Sequence, residues 1–141
     1  MSIVTPKPCD LDWEDGKNEK LKGGELLGCT DVLFGYAFFG PTDGLFTNGF
    51  IANVNHGESI LSLLTAHPAE LAHHLQLMLG RMGDVDGYNV YLNQGRPAGM
   101  TVGDHAHLHV LRRNVGEPAS GMGFGKLVRE FNKLHSATIG A

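Results

Sequence analysis

An α+β domain built on an antiparallel sheet is the fold class this sequence predicts, and three observations carry it. Short apolar runs broken by turn residues fill 26–54. One long amphipathic pattern follows at 65–82. Two further alternating segments, 88–92 and 101–111, then precede a last amphipathic stretch after Gly125. Strands, helix, strands, helix in that order is the signature of the class.

Taken in order, residues 1–24 read as an irregular N-terminal arm. Thr5-Pro6-Lys7-Pro8 is extended, and Asp10 to Lys22 is mostly charged, with Trp13 and Leu21 as anchors. Residues 25–141 read as one domain. Leu26–Thr30 and Val32–Phe39 form a hairpin, with Thr30-Asp31 at the turn. Gly40–Gly44 is a loop, and Gly49–Val54 is a third strand ending at Asn55-His56-Gly57. In 65–82, Pro68 suits a first helical turn and Glu70 its positive end. Leu71, Leu75, Met78 and Met82 mark the inward stripe, with the methionines as core filler, while His73 and His74 are read as surface residues. Tyr88–Leu92 and Thr101–Leu111 form a second hairpin across the glycine-bearing turn 93–99, and Phe124, Leu127, Val128, Phe131 and Leu134 share one face of a C-terminal helix.

Composition narrows the function. The 141 residues suit one domain with a hydrophobic core, and 42% hydrophobic with 18% charged residues is ordinary for a globular chain. A formal charge of −4 excludes binding to nucleic acid by blanketing phosphates, yet leaves room for a nucleotide ligand held by local donors. No apolar run of membrane-spanning length and no leader pattern occurs, so a cytoplasmic protein without membrane contact is expected. Cys9 and Cys29, far apart, are expected as free thiols.

The chemistry concentrates in Gly103-Asp104-His105-Ala106-His107-Leu108-His109-Val110-Leu111. Alternation on a strand turns Ala106, Leu108 and Val110 to the core and His105, His107 and His109 to the other face. Three imidazoles in register are groups that titrate near neutral pH and serve as base, nucleophile or ligand. A single metal ion is a poor fit for all three, because the outer Cα atoms of such a strand lie ~13 Å apart. A site using two of them plus His56 stays open as the minor alternative. Nucleophilic attack fits better: a neutral central imidazole, His107, can attack phosphorus while His105 and His109 orient or bind phosphate oxygens. Backbone N–H groups of the turn from Asn93 to Gly99 add an anion nest. No cofactor or metal is needed.

His105-Ala106-His107-Leu108-His109-Val110-Leu111 matches, at every position, the His-φ-His-φ-His-φ-φ signature of the histidine triad superfamily (φ apolar), which this sequence resembles over about 25–113. Asn93–Val102 looks like that family's asparagine–glycine turn and lead-in strand, and Phe50–His56 like its strand ending in a single histidine. The resemblance implies an antiparallel sheet with helices, a homodimer, and hydrolases or transferases of nucleoside phosphates. In these the middle histidine attacks an α-phosphorus and carries a covalent nucleotidyl group. The nucleophile falls on His107, the phosphate-side histidine on His105, the one behind it on His109 and the supporting one on His56. Asn93 and the hydroxyl of Thr101 complete the set.

The sequence departs from that pattern at three places. Met100 stands where family hydrolases carry glutamine. Gly103-Asp104 holds one extra residue before the triad, which suggests a β-bulge. Gly40 and Pro41 stand where a ribose-holding acid is expected, with Asp43 nearby but out of register. These departures keep a second reading alive, a nucleotide-binding or regulatory protein without catalysis.

Overall fold

The computed structural model describes residues 23–54, 59–98 and 106–138. The N-terminal arm lies outside them. Five strands form one sheet in the order β1-β2-β3-β5-β4, every neighbouring pair antiparallel. They are β1 (Glu25–Cys29), β2 (Leu33–Phe39), β3 (Phe46–Asn53), β4 (Gly87–Leu92) and β5 (His107–Arg113). The α+β class and its antiparallel sheet stand as the sequence indicates. The helices among the described residues are α1 (Ile60–Ala66), α2 (Pro68–Met82) and α3 (Phe124–Thr138), with a short 3-10 turn at Arg96–Ala98.

The helix expected over 65–82 begins at Pro68, and α1 precedes it as a separate element. Proline supplies the reason. It suits the first turn, where its missing N–H costs nothing, but inside a continuous helix it would break the ladder. Ser59 caps α1 by accepting from the Ser62 amide at 3.1 Å.

Helix α2 packs on one face of the sheet. Leu71, Met78 and Met82 are buried, and with Leu33, Ala37, Ile51, Leu63, Ala106 and Val110 they form the main core. Glycines shape the bed in which the helix lies. A Cβ on Gly49 would meet the Tyr36 carbonyl at 2.7 Å and the Met78 sulfur, so only a bare backbone admits Met78 there. Gly28 and Gly35, paired across β1 and β2, leave the hollow that His74 enters from above. The hairpin turn between β1 and β2 is tied to the start of α2, because the Thr30 hydroxyl donates to Glu70 Oε2 at 2.8 Å.

His74 corrects the reading of it as a surface residue. It is 1% exposed, and among the described residues neither ring nitrogen has a hydrogen-bond partner. Burial first, then the charge of His73, lowers its pKa to about 4, against a smaller upward pull from Glu70. The ring is therefore a neutral core residue at physiological pH.

A second correction concerns Cys29. It is disulfide-bonded and not the free thiol expected. The chain's other cysteine, Cys9, falls outside the described residues.

Candidate functional site

Strand alternation places the histidines. On β5, Leu108 and Val110 turn to the core under α2, and His107 and His109 turn to the opposite face, as the sequence pattern requires. Register carries that face across the sheet. Ala52, Phe50 and Asn48 lie opposite His107, His109 and Leu111, while Tyr91 and Asn89 flank from β4. Phe34, Tyr36 and Phe38 of β2 continue the row. The result is an aromatic floor: Tyr36 stacks on Phe50 at 6.1 Å, and Phe34 meets Phe50 edge-on at 5.7 Å.

His107 and His109 meet as neighbours, ring centroids 4.7 Å apart at 77°. Tyr91 stacks on His109 from β4, 4.8 Å away and 14° from parallel. Phe124, from the first turn of α3, follows at 5.7 Å from Tyr91. Four rings thus make successive contacts from the triad to the C-terminal helix. His107 is only 6% exposed. Burial, then the charge of His107, lowers the His109 pKa to about 4. His109 is accordingly neutral at pH 7, able to offer one N–H but no positive charge.

Asn93 holds the turn after β4. Its amide is oriented with nitrogen toward the carbonyls of Leu92 (3.3 Å) and Ala98 (3.2 Å), the arrangement that sets donor against acceptor. Of the other site residues, His105, His56, Gly99 and Thr101 lie outside the described residues, as do Met100 and the Gly103-Asp104 insertion. Among the described residues no cluster of three or more metal-ligating side chains occurs.

At the turn between β2 and β3, the Asp43 carboxylate accepts from the Leu45 amide at 2.9 Å and folds back over Gly40. A Cβ on Gly40 would fall 3.1 Å from Asp43 Cγ and closer still to its Oδ1. The carboxylate therefore fills the space a side chain at position 40 would take.

Beyond Tyr91 an open groove of about 850 Å³ runs between the sheet and α3, whose Phe124 and Leu127 stay more than half exposed. Tyr91, Asn93, Leu111, Arg113, Phe124 and Leu127 are among its walls, whereas His107 and His109 are not. Arg112 and Arg113 close β5. In the fold Arg112 pairs with Glu117 at 2.7 Å, and Arg113 donates to Asn89 Oδ1 at 2.7 Å. Alternation counted past the triad was the available signal, since 107, 109, 111 and 113 share a face.

No family model and no curated protein matches the chain. Two solved structures do. A hypothetical histidine triad nucleotide-binding protein from Sulfolobus tokodaii superposes with a TM-score of 0.52 at 23% identity, over 71% of this chain and 66% of that one, just under two thirds of its length. A Hit-like protein involved in cell-cycle regulation from Bartonella henselae, solved with an unknown ligand, gives a TM-score of 0.47 at 15% identity, covering 67% of this chain and 69% of that one. This chain has the histidine triad fold, with the second and third histidines of its own triad sequence side by side on the sheet face opposite α2.

Proposed function

We propose that the protein is a nucleotide hydrolase or nucleotidyl transferase, acting on a nucleoside phosphoramidate or dinucleoside polyphosphate through His107. A ring nitrogen of His107 forms a bond to the α-phosphorus as the bond to the leaving group breaks, and the leaving group takes that electron pair and a proton from solvent. Water or another acceptor then attacks the same phosphorus and gives up its proton to solvent. The N–P bond returns its pair to the ring, and the nucleotidyl group leaves on the acceptor. His105, His56, Thr101, Asn93 and the Gly99 backbone complete the phosphate site in this reading.

The observation that supports it best is the shared face of His107 and His109, with rings 4.7 Å apart on the side of the sheet away from α2. A neutral His109 suits an orienting role, because it contacts the nucleophile without adding a charge that would have to be desolvated. Asp43, folded over Gly40 at the turn after β2, is our choice for the ribose hydroxyls. The test is turnover of adenosine 5′-phosphoramidate. The parent protein should hydrolyse it, and folded His107→Ala should be inactive; equal rates in the two would exclude the mechanism.

A homodimer belongs to the same proposal. Strand β4 is an edge of the sheet, and it exposes Tyr88, Val90 and Leu92 to 50, 39 and 41%. Val90→Lys should then halve the mass seen by light scattering. The second reading, a nucleotide-binding protein without catalysis, draws on the 6% exposure of His107 and predicts nucleotide binding with no turnover. Among the described residues no helix is long and apolar enough to cross a membrane. A cytoplasmic address remains part of the proposal.

A further inference from the structure

The cavity between the sheet and α3 has walls and a charge balance of its own. Tyr91, Leu111, Phe124 and Leu127 supply apolar surface, and Arg113 and Lys126 supply positive charge. The other charges around it are matched: Arg112 by Glu117 at 2.7 Å, and Glu130 by Lys133 at 3.4 Å. Arg113 instead bonds to neutral acceptors, Asn89 Oδ1 and the Ala119 carbonyl. Among the described residues no carboxylate lies in ion-pair range of Arg113 or Lys126. An apolar pocket that keeps a guanidinium unneutralised while holding it in place is built for an anion with an apolar body.

The cavity also sits in line with the triad. Its near wall, Tyr91, is level with His109, only two residues or about 7 Å along the strand from His107. The far cation, Arg113, is on the same face, six residues or about 20 Å from His107 at full strand extension. A molecule reacting at His107 and continuing over His109 would enter this space.

We propose that the cavity is a second subsite that takes the leaving-group half of the substrate: an extended aromatic or aliphatic body ending in a carboxylate or phosphate, held at Arg113 and Lys126. Its leaving-group role rests on the nucleotide reading above. Its chemistry stands on the cavity alone.

Titration calorimetry with naphthalene-2-carboxylate and its neutral carboxamide tests the proposal on the full chain. The carboxylate should bind at least ten-fold more tightly, and its contacts should shift the Tyr91 and His109 ring resonances. Arg113→Gln should cut carboxylate affinity roughly ten-fold and leave carboxamide affinity nearly unchanged. Should that variant fold poorly, exposed Lys126→Gln gives the same discrimination on a smaller scale, roughly three-fold. AMP should bind together with the carboxylate. Equal affinity for acid and amide, no binding of the acid, or mutual exclusion with AMP would each overturn the subsite. Carboxylate binding without AMP binding would instead contradict the nucleotide reading, and with it the leaving-group role.

Discussion

Tyr91 lies flat against His109, the two rings 4.8 Å apart on paired strands, while His107 meets the same imidazole at a steep angle from along β5. The contact restricts rotation of His109 and covers one face of its ring. Tyr91→Ala should remove roughly 1 kcal/mol of stability, the usual worth of such an aromatic pair beyond its area. It should also let the His109 pKa rise from about 4 toward 6.5, because burial is the first cause of its depression. Proton NMR of the His109 ring across pH 3–8 reads the shift. An unchanged titration would show that Tyr91 does not shield it.

His74 makes folding sensitive to acid. Its pKa is about 4 in the folded protein, against 6.5 for an exposed ring. Between those limits the unfolded chain binds a proton that the folded one does not. Stability is therefore complete above pH 6.5 and falls as the pH drops toward 4, by about 3 kcal/mol from this residue alone at 1.36 kcal/mol per unit. His109, depressed in the same window, adds a share of the same sign. His74→Leu should flatten the urea-denaturation stability profile between pH 6.5 and 4 while leaving the rest to His109. A profile as steep as the parent's would remove His74 as the source.

Much of this could be read from the chain, and the failures have physical causes. Alternation placed His107 and His109 opposite Val110 because strand periodicity is local and the core needs only every second side chain. Helix α2 was found from the spacing of Leu71, Met78 and Met82, yet His74 was missed. Its burial depends on a hollow made by Gly28 and Gly35 on two other strands, and no local pattern reports that. The Arg113–Asn89 contact joins positions 24 apart and needs the β4–β5 register before it becomes visible. Of the predicted site, Asn93, His107 and His109 can be placed, while His56, Gly99, Thr101 and His105 lie outside the described residues.

Gly49 should tolerate no side chain. Gly49→Ala drives a Cβ toward the Tyr36 carbonyl, 2.7 Å away and fixed by the sheet, as well as toward Met78. Overpacking of this kind costs on the order of 1–3 kcal/mol. Thermal denaturation should show the loss, and measured against Met78→Ala alone the Gly49→Ala cost should largely remain, since the backbone contact persists. Its disappearance would place the clash on Met78 alone.

The disulfide at Cys29 and a cytoplasmic address make opposing demands, because reducing compartments keep thiols free. Alkylation of protein quenched directly from cells should find both cysteines reactive if the address is correct. Two protected cysteines would place the protein in an oxidising compartment.

Mass spectrometry of the protein quenched within milliseconds of mixing with an adenylylated substrate tests the catalytic role of His107 most directly. An added adenylyl mass, mapped to the peptide holding His107 and absent from folded His107→Ala, is the predicted result. Measured turnover with no adduct on that peptide, or an adduct that persists in His107→Ala, would contradict it.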